Sequence, residues 1–134
     1  MSTPIPTGQQ YALPDGRLGD PDWEITPLQV QAMQGVDAES LVILDVREPA
    51  ELATAALPEG AGVLHVPMGE IKARLGEIEA AADGKHLVAM CHLGGRSLQV
   101  AVFLRKEAEM EDVRSMAGGI DAWAVQIDSA IARY

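Results

Sequence analysis

Apolar residues along this chain fall into short continuous runs separated by stretches with helical spacing. Leu41-Val42-Ile43-Leu44 and Leu87-Val88-Ala89-Met90 are unbroken apolar runs, the pattern of strands covered on both faces. Val63 to Val66, closed by Pro67, and Val113 to Met116 predict two more strands. Between them the period changes. Thr26-Pro27 reads as a helix start, with threonine as cap and proline at the first helical position. Leu28, Val30, Ala32 and Met33 follow, and Gly35 is expected to stop that helix. Pro49 to Leu57 predicts a short helix ended by Pro58. Met68 to Ala82 places Ile71, Leu75 and Ile78 on one face, with Gly84 as its stop. Arg96 to Glu109 is helical and apolar over much of its girth, and a last helix after Gly118-Gly119 carries Ile120, Trp123, Ile127 and Ile131. Residues 1–23 fit neither period. Pro4, Pro6, Gly8, Pro14, Gly16, Gly19 and Pro21 break both, which predicts an arm ahead of a domain over residues 24–134.

Strands alternating with helices imply an α/β fold, a three-layer α/β/α domain with a central, mostly parallel sheet. In such sheets ligands bind beyond the carboxyl ends of the strands. That rule singles out Asp45-Val46-Arg47, the stretch from Cys91 to Ser97, and Ala117-Gly118-Gly119. A length of 134 residues fits one domain. A net charge of −10 argues against nonspecific nucleic-acid binding and against an anionic membrane surface. No apolar stretch approaches the roughly 18 residues of a membrane helix. Met1-Ser2-Thr3-Pro4 begins neither a basic segment nor an apolar one, so no secretory signal is expected. A single cysteine, Cys91, excludes an intrachain disulfide and a multi-thiolate metal centre. The expected setting is the reducing cytoplasm.

Met90-Cys91-His92-Leu93-Gly94-Gly95-Arg96-Ser97 is the segment that can carry chemistry. A glycine-rich turn from strand to helix aims successive backbone N–H groups inward as an anion nest, and the helix adds its own unsatisfied N–H groups and partial positive charge. A thiol held there favours its nucleophilic thiolate. Arg96 adds a fixed cation with a planar fork. A lone cysteine ending an apolar strand is also often a small buried hydrophobe; the combination of Cys, paired Gly, Arg and Ser within seven residues has no packing reason.

Those seven residues resemble the active-site loop of rhodanese-type sulfurtransferases, C-x-x-G-x-R-S. Ile25-Thr26-Pro27 resembles that family's first strand-helix junction. Leu44-Asp45-Val46-Arg47-Glu48 with Glu51 is similar to its D-V-R-E-x-x-E signature, Val66-Pro67-Met68-Gly69-Glu70 to I-P-L-G-E, and Gly118-Gly119-Ile120-Asp121-Ala122-Trp123 to the closing G-G-I-x-A-W. Three positions depart from the pattern. Ala55 to Ala61 replaces G-H-I-P-G-A, Ala108-Glu109-Met110 stands where a Gly-aromatic pair is usual, and Leu93 occupies a commonly polar position.

The resemblance implies a single-domain rhodanese-like sulfurtransferase. Cys91 would attack the outer sulfur of a donor such as thiosulfate, carry it as a persulfide and pass it to cyanide or to a small or protein thiol. It implies substrate binding by His92, Leu93, Gly94, Gly95, Arg96 and Ser97, with Arg96 organising the loop and attracting the donor. It implies support from Asp45 and Arg47, and neither a metal nor an organic cofactor. The charge of −10 works against a dianionic donor, so protein partners or low-charge thiols suit the chain better. Three alternatives stay open: a noncatalytic module of the same type, a redox-sensing thiol, and a cysteine phosphatase or arsenate reductase. The loops of the last commonly place five residues between Cys and Arg, where this chain has the four residues His92 to Gly95.

Overall fold

The computed structural model describes residues 19–58 and 60–134. Among the described residues, five strands form one sheet: β1 (Glu24–Ile25), β2 (Leu41–Asp45), β3 (Val63–His65), β4 (His86–Met90) and β5 (Val113–Met116). Their order is β1-β5-β4-β2-β3, and every pairing is parallel. The helices are α1 (Pro27–Asp37), α2 (Pro49–Thr54), α3 (Leu75–Ala82), α4 (Gly95–Lys106) and α5 (Gly119–Gln126). β2 and β4 lie side by side with Asp45 opposite Met90, so the chain leaves both strands at the same edge of the sheet.

The period-two alternation of the strands sorts the core into two layers. Val42, Leu44, Leu87, Ala89 and Val113 face Ile78 and Ala82 of α3 and Val100, Ala101 and Leu104 of α4. Leu41, Ile43, Val88, Met90 and Met116 face Val30 and Met33 of α1 and Ile120 and Trp123 of α5. Burying each large aliphatic side chain contributes about 1.5–3 kcal/mol, which is why the continuous apolar runs became central strands.

Several helix boundaries differ from the sequence expectation. α2 ends at Thr54, short of Leu57, because Ala55 turns extended and gives its carbonyl to Arg47. α5 ends at Gln126, so Ile127 and Ile131 lie beyond it. α1 runs through Gly35 to Asp37. Glycine costs only about 1 kcal/mol in a helix, and the buried Val30 and Met33 anchor this one. The expected helix over 68–82 is broken. A 3₁₀ turn over Met68–Glu70 comes first, because the Met68 amide donates to the Val46 carbonyl (3.0 Å) and ties that turn to the end of β2. The α-helix starts only at Leu75. α4 ends at Lys106, where the Ala108 and Met110 amides fold back onto the Phe103 and Leu104 carbonyls. That turn gives Glu109 a left-handed φ of 57°, the conformation glycine holds without steric cost.

Residues 1–18, most of the expected arm, lie outside the described residues. Residues 19–23 pack onto the domain: Gly19 and Pro21 are buried, and the Arg105 guanidinium lies 3.8 Å from the centre of the Trp23 ring. Among the described residues, no helix is long and apolar enough to cross a membrane.

Candidate active site

Cys91 follows the last residue of β4, and Gly94, with φ of 104°, caps α4. The turn between them brings backbone donors back onto the sulfur. Gly94 N donates to Cys91 Sγ at 3.1 Å and Ser97 N at 3.4 Å, and the Ser97 hydroxyl lies 3.3 Å from the same atom. The amides therefore face inward, as an anion nest requires. Cys91 itself is only 1% exposed. The structure puts the sulfur on the floor of the turn, beside aliphatic side chains of the α3/α4 layer.

α5 holds this turn from behind. Ile120 N donates to the Cys91 carbonyl (2.9 Å) and Asp121 N to the His92 carbonyl (3.1 Å). In each planar trans peptide the N–H opposes the C=O, so these bonds turn the His92 and Leu93 N–H groups away from α5. Gly119 makes the approach possible. It has φ of 61°, and a Cβ there would collide with the Cys91 and His92 carbonyl oxygens.

The predicted supporting pair sits at the end of β2. Asp45 accepts from Arg47 Nε (3.0 Å), Nη2 (2.8 Å) and N (3.1 Å). Arg47 is fully buried and also donates from Nη1 to the Ala55 carbonyl (2.8 Å) and the Tyr134 hydroxyl (3.0 Å). Burial pulls the Arg47 guanidinium down, but its hydrogen bonds to Asp45 and Tyr134 outweigh this and hold it above its ordinary value. A buried charge tolerates such a position only when paired this completely.

Arg96 does not stand free at the mouth. Its Nη1 and Nη2 take both carboxylate oxygens of Glu51, at 2.7 and 2.8 Å. The Arg96 guanidinium holds the Glu51 carboxyl down, from 4.5 to about 2, against an opposing push from burial. The same pairing raises Arg96. The fork expected to attract an anionic donor is thus occupied by a carboxylate, and the pair is close to neutral. His92 is half-buried, its ring stacked on that of Tyr134 with centroids 3.8 Å apart. Leu93 is half exposed and Gly95 lies on the surface.

Three residues of this neighbourhood were absent from the predicted site: Glu51, Tyr134 and Ser115. Glu51 carried a signal, its place in the D-V-R-E-x-x-E stretch. Tyr134 carried none. It donates to Glu51 Oε1 at 2.9 Å from 83 positions away, and burial pushes its phenol up while Arg47 opposes. Ser115 lies 2.8 Å from the Ser97 hydroxyl and looked like an ordinary strand residue.

Residues 26–126 match the Rhodanese-like domain family. The chain belongs to that family. Among its relatives, a protein named Sulfurtransferase from Allochromatium vinosum is 35% identical over 88 residues, covering 66% of this chain and 76% of the relative. The Rhodanese-like/PpiC domain-containing protein 12 of Arabidopsis thaliana is 29% identical over 114 residues, covering 84% of this chain. This chain spans 37% of that plant protein's length. The crystal structure of thiosulfate sulfurtransferase from Pseudomonas aeruginosa superposes with a TM-score of 0.65 at 25% identity, over 77% of this chain and 19% of that one. The parallel five-strand sheet with helices on both faces is the rhodanese-like α/β fold.

Proposed function

We propose that this chain is a sulfurtransferase that carries a sulfane sulfur as a persulfide on Cys91. Family membership and the sulfurtransferase among its relatives support sulfur transfer in general. The observation that carries the specific reading is the convergence of the Gly94 and Ser97 amides and the Ser97 hydroxyl on Cys91 Sγ. Fixed dipoles aimed at one sulfur are in place before charge moves onto or off it and cost no reorganisation during reaction.

With thiosulfate as donor, the Cys91 thiolate attacks the outer sulfur and a new S–S bond forms. The S–S bond of thiosulfate breaks and sulfite leaves with the electron pair. Cyanide or a thiolate then attacks the outer sulfur of the persulfide and returns Cys91 as thiolate. Charge balances in each step. His92, Leu93, Gly94 and Gly95 shape the loop, Asp45 and Arg47 brace the strand end beneath it, and Arg96 braces it through Glu51. Because Arg96 is neutralised there and the chain carries −10, a protein persulfide or a low-charge thiol is the better exchange partner, and the cytoplasm its setting.

The 1% exposure of Cys91 favours a second reading, a noncatalytic module of the same fold. Mass spectrometry after mixing with thiosulfate separates the two. Sulfurtransfer predicts one added sulfur on the wild type and none on Cys91→Ser. A wild type that takes up no sulfur from thiosulfate or from a low-molecular-weight persulfide overturns the enzyme reading, and uptake by the mutant overturns the site.

A further inference from the structure

We propose that Ser115 is a positioning residue for Cys91, holding the Ser97 hydroxyl so that it donates to the sulfur when the sulfur is charged. This rests on the sulfur-transfer reading above and adds a residue of β5 to its machinery.

Ser97 and Ser115 are both fully buried. Ser115 shares its strand face with Val113, which packs in the aliphatic layer that includes Ala89 and Cys91. A hydroxyl buried there costs free energy unless it is hydrogen-bonded. Four polar atoms meet at this point. Ser97 Oγ lies 3.3 Å from Cys91 Sγ, 2.8 Å from Ser115 Oγ and 3.3 Å from the Gly94 carbonyl, and Ser115 Oγ lies 3.5 Å from that carbonyl.

Each hydroxyl has one proton to give. While Cys91 is a thiol, its S–H can donate to Ser97 Oγ, and the Ser97 proton goes to the Gly94 carbonyl or to Ser115. Once Cys91 is a thiolate, Sγ only accepts, and the Ser97 proton must turn to it. The Ser97 oxygen is then left with lone pairs and no donor except Ser115, at the shortest of these contacts. Donation from Ser115 satisfies that oxygen and polarises the Ser97 hydroxyl toward the sulfur, as hydrogen bonds in a chain strengthen one another. Without Ser115, the charged state leaves a buried acceptor unpaired and the uncharged state does not. A purely structural serine, bracing the turn at Gly94, would not distinguish the two states.

The test is the rate of Cys91 alkylation by iodoacetamide against pH, in the wild type, Ser115→Ala, Ser97→Ala and the double variant. Only the thiolate reacts at an appreciable rate. Ser115→Ala is expected to move the profile to higher pH, with about three- to tenfold slower alkylation below its midpoint. In the Ser97→Ala background the same change should have little further effect, since Ser115 acts through Ser97. An unshifted Ser115→Ala profile overturns the proposal, as does a shift of equal size without Ser97. A Cys91 inert to alkylation in the wild type and every variant also overturns it, because no accessible thiolate exists for Ser115 to serve. Thermal unfolding of the same samples reports any general loss of packing separately. Sulfur uptake by the wild type is scored independently: no uptake with a shifted alkylation profile refutes the sulfurtransferase reading while the Ser115–Ser97 coupling stands.

Discussion

Replacing Glu51 by glutamine tests whether the Glu51–Arg96 ion pair stabilises the fold around the Cys91 turn. The carboxyl is depressed from 4.5 to about 2, first by the Arg96 hydrogen bonds and further by the Glu48 amide and the Tyr134 hydroxyl, with burial opposing. Taken at face value, that displacement corresponds to about 3 kcal/mol of stability. The pair is not sealed from water: the side chains of Arg96 and Glu51 are 35% and 19% exposed. Solvent screening brings the expected figure to about 1–2 kcal/mol. The sign follows from the depressed carboxyl. Between pH 4.5 and about 2 the unfolded chain holds a proton at Glu51 that the folded chain has released. Stability from this group is therefore fully present above about pH 5 and lost as pH falls through about 2. Glutamine neither titrates nor carries the charge. The assay is urea unfolding of wild type and Glu51→Gln at pH 7 and at several points down to pH 2. The wild-type advantage should be about 1–2 kcal/mol at neutral pH and shrink across this window. It should also fall in high salt. A gap that stays constant from pH 7 to pH 2 would refute the argument, because it would belong to packing or hydrogen bonding and not to the ion pair.

Gly119→Ala should cost at least about 2–3 kcal/mol, through strain at a left-handed φ added to the collision with the Cys91 and His92 carbonyls. Chemical denaturation measures this, and a near-neutral effect would mean that α5 does not pin the loop. Glu109→Gly should do the opposite. It relieves a left-handed φ of 57° and should stabilise by up to about 1 kcal/mol after glycine's larger unfolded-state entropy is deducted. A lowered thermal midpoint would show that the Glu109 side chain contributes more than its backbone costs.

Local order in this protein is written within a turn or a strand. Thr26 followed three residues later by Gln29 forms a capping box, with reciprocal bonds of 3.1 and 2.9 Å, and both residues are visible in the chain as written. The runs at Leu41 and Leu87 became adjacent central strands because no other placement covers both faces of so apolar a segment. The glycine-rich turn after Cys91 could be located from local pattern alone: it follows a strand and opens a helix. Sequence thus determined the class of fold and the position of the strand-to-helix turn that holds Cys91.

Tertiary structure decided what meets that loop. Arg96 and Glu51 are 45 positions apart and Ser97 and Ser115 are 18 apart. They converge because β4 lies between β2 and β5, an order that no local period encodes. The same sheet ended the first turn after Pro67 by drawing the Met68 amide to the Val46 carbonyl, and anchoring of Val30 and Met33 carried α1 past Gly35. Propensity speaks for a few residues at about 1 kcal/mol or less each. A bidentate ion pair partly shielded from water, or a buried hydroxyl that must find a donor, commands more than that. Where the two compete, the partner brought from elsewhere in the chain sets the outcome, and that partner exists only once the strands have been ordered.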